Sequence, residues 1–231
     1  MRRKWILPQS DTEGIERLAR SLRISRITAR MLCNRGLSDA GAARHFLEPS
    51  LHELRDPGEG AALTAAAAFL RDAIQAGRRI TIYGDYDADG ICATALLIGC
   101  MRGAGADVDF YIPQRSDEGY GLNCAALDEI RQRGTDLIIT VDCGTSACAE
   151  AEHAAGLGLE LLVTDHHEPR GRRPAVRHLL NPHLPDCEFG YEHLAGVGVA
   201  FKLAWALGQQ LGGGGNAPPP YRELLMEALP L

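Results

Sequence analysis

The stretch Thr81–Gly90, TIYGDYDADG, decides the fold. It opens as a β-branched apolar run, the signature of a buried strand, and breaks at once into glycine and acid. Asp85, Asp87 and Asp89 stand at alternate positions. Carboxylates that close repel one another, and away from bulk water each needs a cation or a proton. An acidic turn of helix-capping aspartates is the plain alternative. The placement of Tyr83–Gly90 between a strand and an apolar helical segment favours a metal-ligating loop. A calcium loop would need glutamate at its twelfth position; counting from Asp85, that position is Leu96, inside an apolar helical segment.

Outward from this stretch the chain alternates. Strands are expected at 79–83, 108–112, 137–142, 160–164 and 176–181, and helices at 61–76, 91–102, 124–133, 146–156 and 194–211. Continuous apolar strands separated by helices predict an α/β fold: a doubly wound, mainly parallel sheet of about five strands, covered on both faces. Ligands of such sheets gather at the carboxyl ends of the strands. A small helical module precedes it, with helices expected at 12–23, 25–34 and 38–46. Arg17, Arg20, Arg23, Arg26 and Arg30 recur along this module, as a solvated face or a phosphate-contacting one. Gly212–Pro220, GGGGNAPPP, reads as a linker before one short helix. The organisation expected is a helical module over 1–60, the α/β domain over 61–211, and a linker with a short helix over 212–231.

The net charge of −6 does not favour a general nucleic-acid binder, but residues 1–56 hold eleven Lys/Arg against seven Asp/Glu. A cluster of metal-binding carboxylates accounts for part of the acidity and is compatible with a phosphate substrate. Seven cysteines without a C-x-x-C pair read as reduced thiols in a cytoplasmic protein. The basic N-terminus lacks the apolar core of a secretory signal, and no apolar run is long enough to predict a membrane span.

Four further segments carry candidate chemistry. Asp142, in Val141–Thr145 at the end of an apolar strand, serves equally well as a ligand or as a helix cap. Cys143 beside it reads as a small buried residue. Thr164–Glu168, TDHHE, places Asp165, His166 and His167 at another strand end; mixed Asp/His donors suit Mn²⁺ better than Ca²⁺. The loop Ile112–Leu122 offers Arg115 as a bidentate phosphate donor, with glycines that let amides approach. Gly196–Lys202, GVGVAFK, opens a helix with small residues, for an anion at its N-terminus or for tight packing.

In this order YGDYDADG, RSDEGYGL, VDCGT, TDHHE and GVGVAFKL resemble the DHH phosphoesterase superfamily, and within it the RecJ branch of single-strand-specific 5′ exonucleases. The resemblance runs from about Leu37 to Leu211. It implies a centre of two Mn²⁺ or Mg²⁺ ions held by Asp87, Asp89, Asp142 and His166, with Asp85 as an extra ligand or a support. It further implies His167 on metal or scissile phosphate, Asp165 orienting the histidines, and Arg115 and Tyr120 near the substrate's phosphates. Gly196, Gly198 and Lys202 complete the expected substrate-binding set. The implied reaction is 5′-to-3′ hydrolysis of single-stranded DNA to 5′-mononucleotides in DNA repair and recombination, with single-stranded DNA as partner and no membrane.

Relatives of that branch carry a further metal-binding aspartate and a second lobe. A partial, weakly active or inactive form is therefore expected, with Glu227 in the place of the missing aspartate as a faint match. Two other functions stay open: a DHH phosphodiesterase acting on short oligonucleotides or cyclic dinucleotides, and a binding module that keeps the fold without catalysis. Tyr83, where smaller DHH enzymes often carry histidine, speaks against the former; the intact acid and histidine set speaks against the latter.

Overall fold

The computed structural model describes residues 11–50, 54–114, 119, 121–213 and 218–228. The chain divides into two units, Met1–Leu54 and Arg55–Leu231. Residues 55–60, expected with the helical module from sequence, lie in the second unit, as does the C-terminal helix.

In the first unit, α1 (Thr12–Leu22), α2 (Arg26–Asn34) and α3 (Ala40–Leu47) surround a core of Ile15, Leu18, Ala19, Ala29, Leu32 and Ala43. Capping sets two of the boundaries: the Ser25 hydroxyl accepts from the Thr28 amide at 3.0 Å, and the Asp39 carboxylate from the Ala42 amide at 2.9 Å. Part of the arginine row is spent internally, since Arg26 pairs with Glu16 at 2.7 Å and Arg17 lies near Asp11 and Glu13.

The second unit starts with a 3₁₀ turn, Pro57–Glu59, and α4 (Ala61–Gln75). It continues as β1 (Ile80–Tyr83), α5 (Ala88–Gly103), β2 (Val108–Tyr111), α6 (Cys124–Gln132), β3 (Leu137–Thr140), α7 (Cys148–Gly156), β4 (Glu160–Thr164), β5 (His178–Leu180), α8 (Gly196–Leu211) and α9 (Pro219–Ala228). The five strands form one parallel sheet in the order β2-β1-β3-β4-β5.

Strand alternation divides the sheet between two cores. Ile80, Ile82, Leu137, Ile139 and Leu162 face α4, α5 and α8, whereas Tyr83, Ile138 and Leu161 face α6 and α7. Residues buried on both faces give the unbroken apolar runs of the sequence. Tyr221 and Leu225 of α9 are buried in the first of these cores, so the end of the described chain is packed as part of the fold. No described helix is long and apolar enough to cross a membrane. All seven cysteines are free.

The strand order reverses between β1 and β3, because the crossover after β1 leads to one side and the later ones to the other. That reversal opens a crevice at the carboxyl ends of the strands, where doubly wound sheets place their ligands. The loops after β1, β3 and β4 all empty there.

Candidate metal centre

Asp85, Asp87 and Asp89 occupy the β1–α5 loop and the first turn of α5. Asp87 caps α5, its carboxylate accepting from the Gly90 amide at 3.0 Å, so the helix starts three residues before the Ile91 expected from sequence. Gly90 has to be glycine: a Cβ there would stand 2.6 Å from the Asp85 carbonyl oxygen. This close approach folds the loop over Asp85, which is only 2% exposed.

Asp142 follows β3 in the left-handed region, at φ 61°. A non-glycine residue held there costs about 1–3 kcal/mol and is found where the surroundings require a particular side-chain direction. The turn is fixed by the Thr140 hydroxyl, which donates to the Cys143 carbonyl at 2.8 Å. The apolar run predicts a strand reaching Asp142; it ends at Thr140 because the chain must turn to aim this carboxylate into the crevice.

The β4 loop brings in the histidines. Asp165, 2% exposed, anchors it. Its Oδ1 accepts from the amides of His166 at 2.7 Å and His167 at 3.1 Å, and lies 2.7 Å from His167 Nδ1. Its Oδ2 accepts from the Thr145 amide at 2.8 Å. His166 Nε2 lies 3.0 Å from Asp142 Oδ1 and 3.5 Å from Asp89 Oδ2.

Among the described residues two groups of converging donors result, with the ligand atoms of each within 4.8 Å of one another. One is Asp85, Asp87 and Asp142; the other is Asp142, His166 and His167. Asp142 belongs to both. The charge state of the centre follows from this crowding. Burial pushes the Asp142 carboxyl above its ordinary value more than its bond with His166 draws it down, and Asp89 and Asp87 add to the rise. His166 is raised mainly by Asp142, and His167 mainly by Asp165. Burial alone would raise Asp165, but the bonds from His167 and Thr145 outweigh it and hold the carboxyl below its usual range. Asp142, His166 and His167 thus hold a proton more readily than in water, and a cation bound there would compete with it.

The other expected residues take the following places. Asp89, expected as a ligand beside Asp87, lies 3.5 Å from His166 Nε2 and also caps α8: its two oxygens accept from the Gly196 and Val197 amides, each at 2.7 Å. Asp85, expected as an extra ligand or a support, stands inside the carboxylate group. The anion at the N-terminus of α8 is therefore the protein's own Asp89 carboxylate. Gly196 is required by packing, since a Cβ would fall 2.8 Å from the Asp142 side chain. Gly198 packs against Leu194.

Lys202 is not at the centre. Six residues into α8 it points elsewhere, 5% exposed, donating to the Arg55 carbonyl and lying 5.1 Å over the Trp205 ring. A long side chain's direction depends on its helical phase, which the motif does not carry. Glu227, exposed on α9, belongs to neither donor group. Arg115 and Tyr120 lie outside the described residues. The Tyr83 hydroxyl donates to the Gly121 carbonyl at 2.9 Å, tying β1 to the end of that loop.

A five-stranded doubly wound sheet with linked acid and imidazole donor groups at its switch point defines an α/β protein with a candidate divalent-cation site in the crevice at its strand ends. The sequence agrees on the family. The chain belongs to the DHH family, residues 79–229 matching its N-terminal domain. It is 43% identical over 204 residues to the single-stranded-DNA-specific exonuclease RecJ of Bacillus subtilis, a match that covers 88% of this chain and 26% of that protein. Among solved structures it is similar to exonuclease RecJ bound to manganese, with a TM-score of 0.62 and 41% identity over 72% of this chain and 42% of that one. RecJ of Thermus thermophilus in complex with Mn²⁺ gives a TM-score of 0.67 and 32% identity over 96% of this chain and 31% of that one. The chain spans about a quarter of the Bacillus protein's length.

Proposed function

We propose that this chain supplies the metal-binding DHH part of a 5′-to-3′ exonuclease that hydrolyses single-stranded DNA to 5′-mononucleotides in repair and recombination. The observation that carries this is Asp142, buried and shared between a carboxylate group and an imidazole group. The donor set fits two Mn²⁺ or Mg²⁺ ions: oxygens alone in the Asp85/Asp87/Asp142 group, mixed oxygen and nitrogen in the Asp142/His166/His167 group. Relatives solved with manganese share the fold at 41% and 32% identity.

Such ions supply Lewis acidity, making a water nucleophilic near neutral pH and neutralising charge on a phosphodiester. The chain's own part is positioning. Asp165 fixes the His167 ring and both histidine amides. Asp89 holds the start of α8 against Asp142. The strained turn at Asp142 aims one carboxylate at both groups. Arg115 and Tyr120 are proposed as the phosphate contacts. Seven free thiols and the similarity to DNA-acting enzymes support a cytoplasmic location.

The test combines calorimetric titration of Mn²⁺ with turnover of a 5′-labelled single strand, a duplex and a dinucleotide. Two bound ions are expected, with release of 5′-mononucleotides that is at most weak in this partial chain and confined to the single strand. No Mn²⁺ binding, or turnover of the dinucleotide with the single strand untouched, would overturn the proposal.

A further inference from the structure

We propose that Asn181 is the positioning residue of the imidazole half of the centre, and that the carboxylate half does not depend on it. The inference rests on the metal-centre reading above. Asn181 directly follows β5 and is fully buried, at 0% exposure. It belongs to none of the five segments that carry the family resemblance.

Every polar atom of its side chain is used. Nδ2 donates to the Thr145 hydroxyl at 2.8 Å and to the His167 carbonyl at 2.9 Å. Oδ1 accepts from the His183 amide at 2.9 Å. The orientation of the amide is fixed by these partners, because reversing it would set Oδ1 against the His167 carbonyl and Nδ2 against an N–H donor.

The consequence lies in what the two partners do. Thr145 donates its backbone amide to Asp165 Oδ2, and Asp165 Oδ1 holds the His167 ring. Asn181 therefore grips the histidine loop at His167 and the β3–α7 loop at Thr145, the same two segments that Asp165 joins. A further backbone bond, from the Asp165 amide to the Leu180 carbonyl at 3.0 Å, ties the histidine loop to the residue before Asn181. His167 is thus held by two buried polar side chains, Asp165 at the ring and Asn181 at the backbone carbonyl. Asp85 and Asp87, by contrast, are placed by the β1–α5 turn and the Asp87 cap, with no bond to Asn181 among those described.

The two halves share Asp142, yet only one has its support at the end of β5. Groups that orient a ligand from behind typically change metal affinity about 10–100-fold when removed. The expected result is selective. In a two-site Mn²⁺ titration of the whole chain, Asn181→Ala and Asn181→Asp weaken one ion by about 10–100-fold and leave the other within error of wild type. Asn181→Asp keeps the acceptor for the His183 amide and the shape of the side chain, so it isolates the lost donor if Asn181→Ala fails to fold. Thr145→Val removes one of the two acceptors while keeping the backbone amide, and weakens the same ion by less; Thr145→Ser restores the hydroxyl and the affinity.

A folded Asn181→Asp chain that binds both ions as wild type does would overturn the inference, and so would equal weakening of both ions. Failure of the wild-type chain to bind Mn²⁺ at all would instead sink the underlying metal-centre proposal.

Discussion

The two halves of the centre are built by opposite strategies. The carboxylate half comes from one continuous turn, Asp85–Gly90, where a helix cap and one close glycine contact place the acids. The imidazole half depends on residues remote in sequence: Asp165 reaches Thr145, and Asn181 reaches both Thr145 and His167. Asp142 is their meeting point. Local turn geometry suffices to gather aspartates that sit two residues apart. A neutral imidazole must also be turned to present one nitrogen, and that takes partners on other loops.

The largest effect is expected from breaking the remote strategy at its hub. Asp165→Ala leaves the amides of His166, His167 and Thr145 without their acceptor, in a site where charge-assisted bonds are worth about 1.5–3 kcal/mol each. Chemical denaturation is expected to show a loss of several kcal/mol. A loss below about 1 kcal/mol would mean that the loop does not rely on Asp165.

Gly196→Ala comes next, because it forces a Cβ to within 2.8 Å of the Asp142 side chain. Overpacking of this kind costs about 1–3 kcal/mol, and both ions should bind more weakly because Asp142 serves both groups. Unchanged stability and unchanged Mn²⁺ affinity would show that α8 can withdraw freely from the centre.

A smaller change is expected for Asp89→Ala in the presence of chelator, where only its capping bonds to Gly196 and Val197 count. Loss of a cap typically costs about 1 kcal/mol, read as a shift in the urea midpoint. No shift would show that the two amides find equivalent partners.

The gentlest test is pH. His166 and His167 are raised above 6.5, so their contribution to metal-free stability is fully present below that value and fades as pH rises through the folded-state pKa. Asp142, raised from 3.8, has the same sign, but its contribution begins to fade above that lower pH. Unfolding in chelator should therefore show stability falling as pH rises above about 6.5, while Mn²⁺ affinity rises over the same range as the metal competes with fewer protons. His178, whose pKa burial lowers, acts with opposite sign mainly below 6.5, outside this window.

Most of the fold is written in short-range pattern. The apolar runs and the helical segments between them mark all five strands and the parallel class, because residues buried on both faces need no alternation. Boundaries shift where side chains decide them: Asp87 advances α5, and the turn at Asp142 shortens β3. The candidate site is legible wherever its members are adjacent, as in DADG and DHH. Alternate spacing does not tell that Asp85 folds inward while Asp89, beside His166, also reaches the start of another helix. Lys202 falls away from the centre because helical phase, and not distance along the motif, governs where a long side chain ends. Asn181 carries no pattern at all; a single asparagine after a short strand looks like a turn residue until its three partners are seen.

The central claim is that Asp142 is common to both halves. It is tested most directly by calorimetric titration of Mn²⁺ into the wild-type chain and into Asp142→Asn at the same pH. Two ions bound by wild type, and both weakened about 100-fold or more by this single substitution, is the predicted result. Retention of one ion at wild-type affinity in a folded Asp142→Asn chain would contradict it.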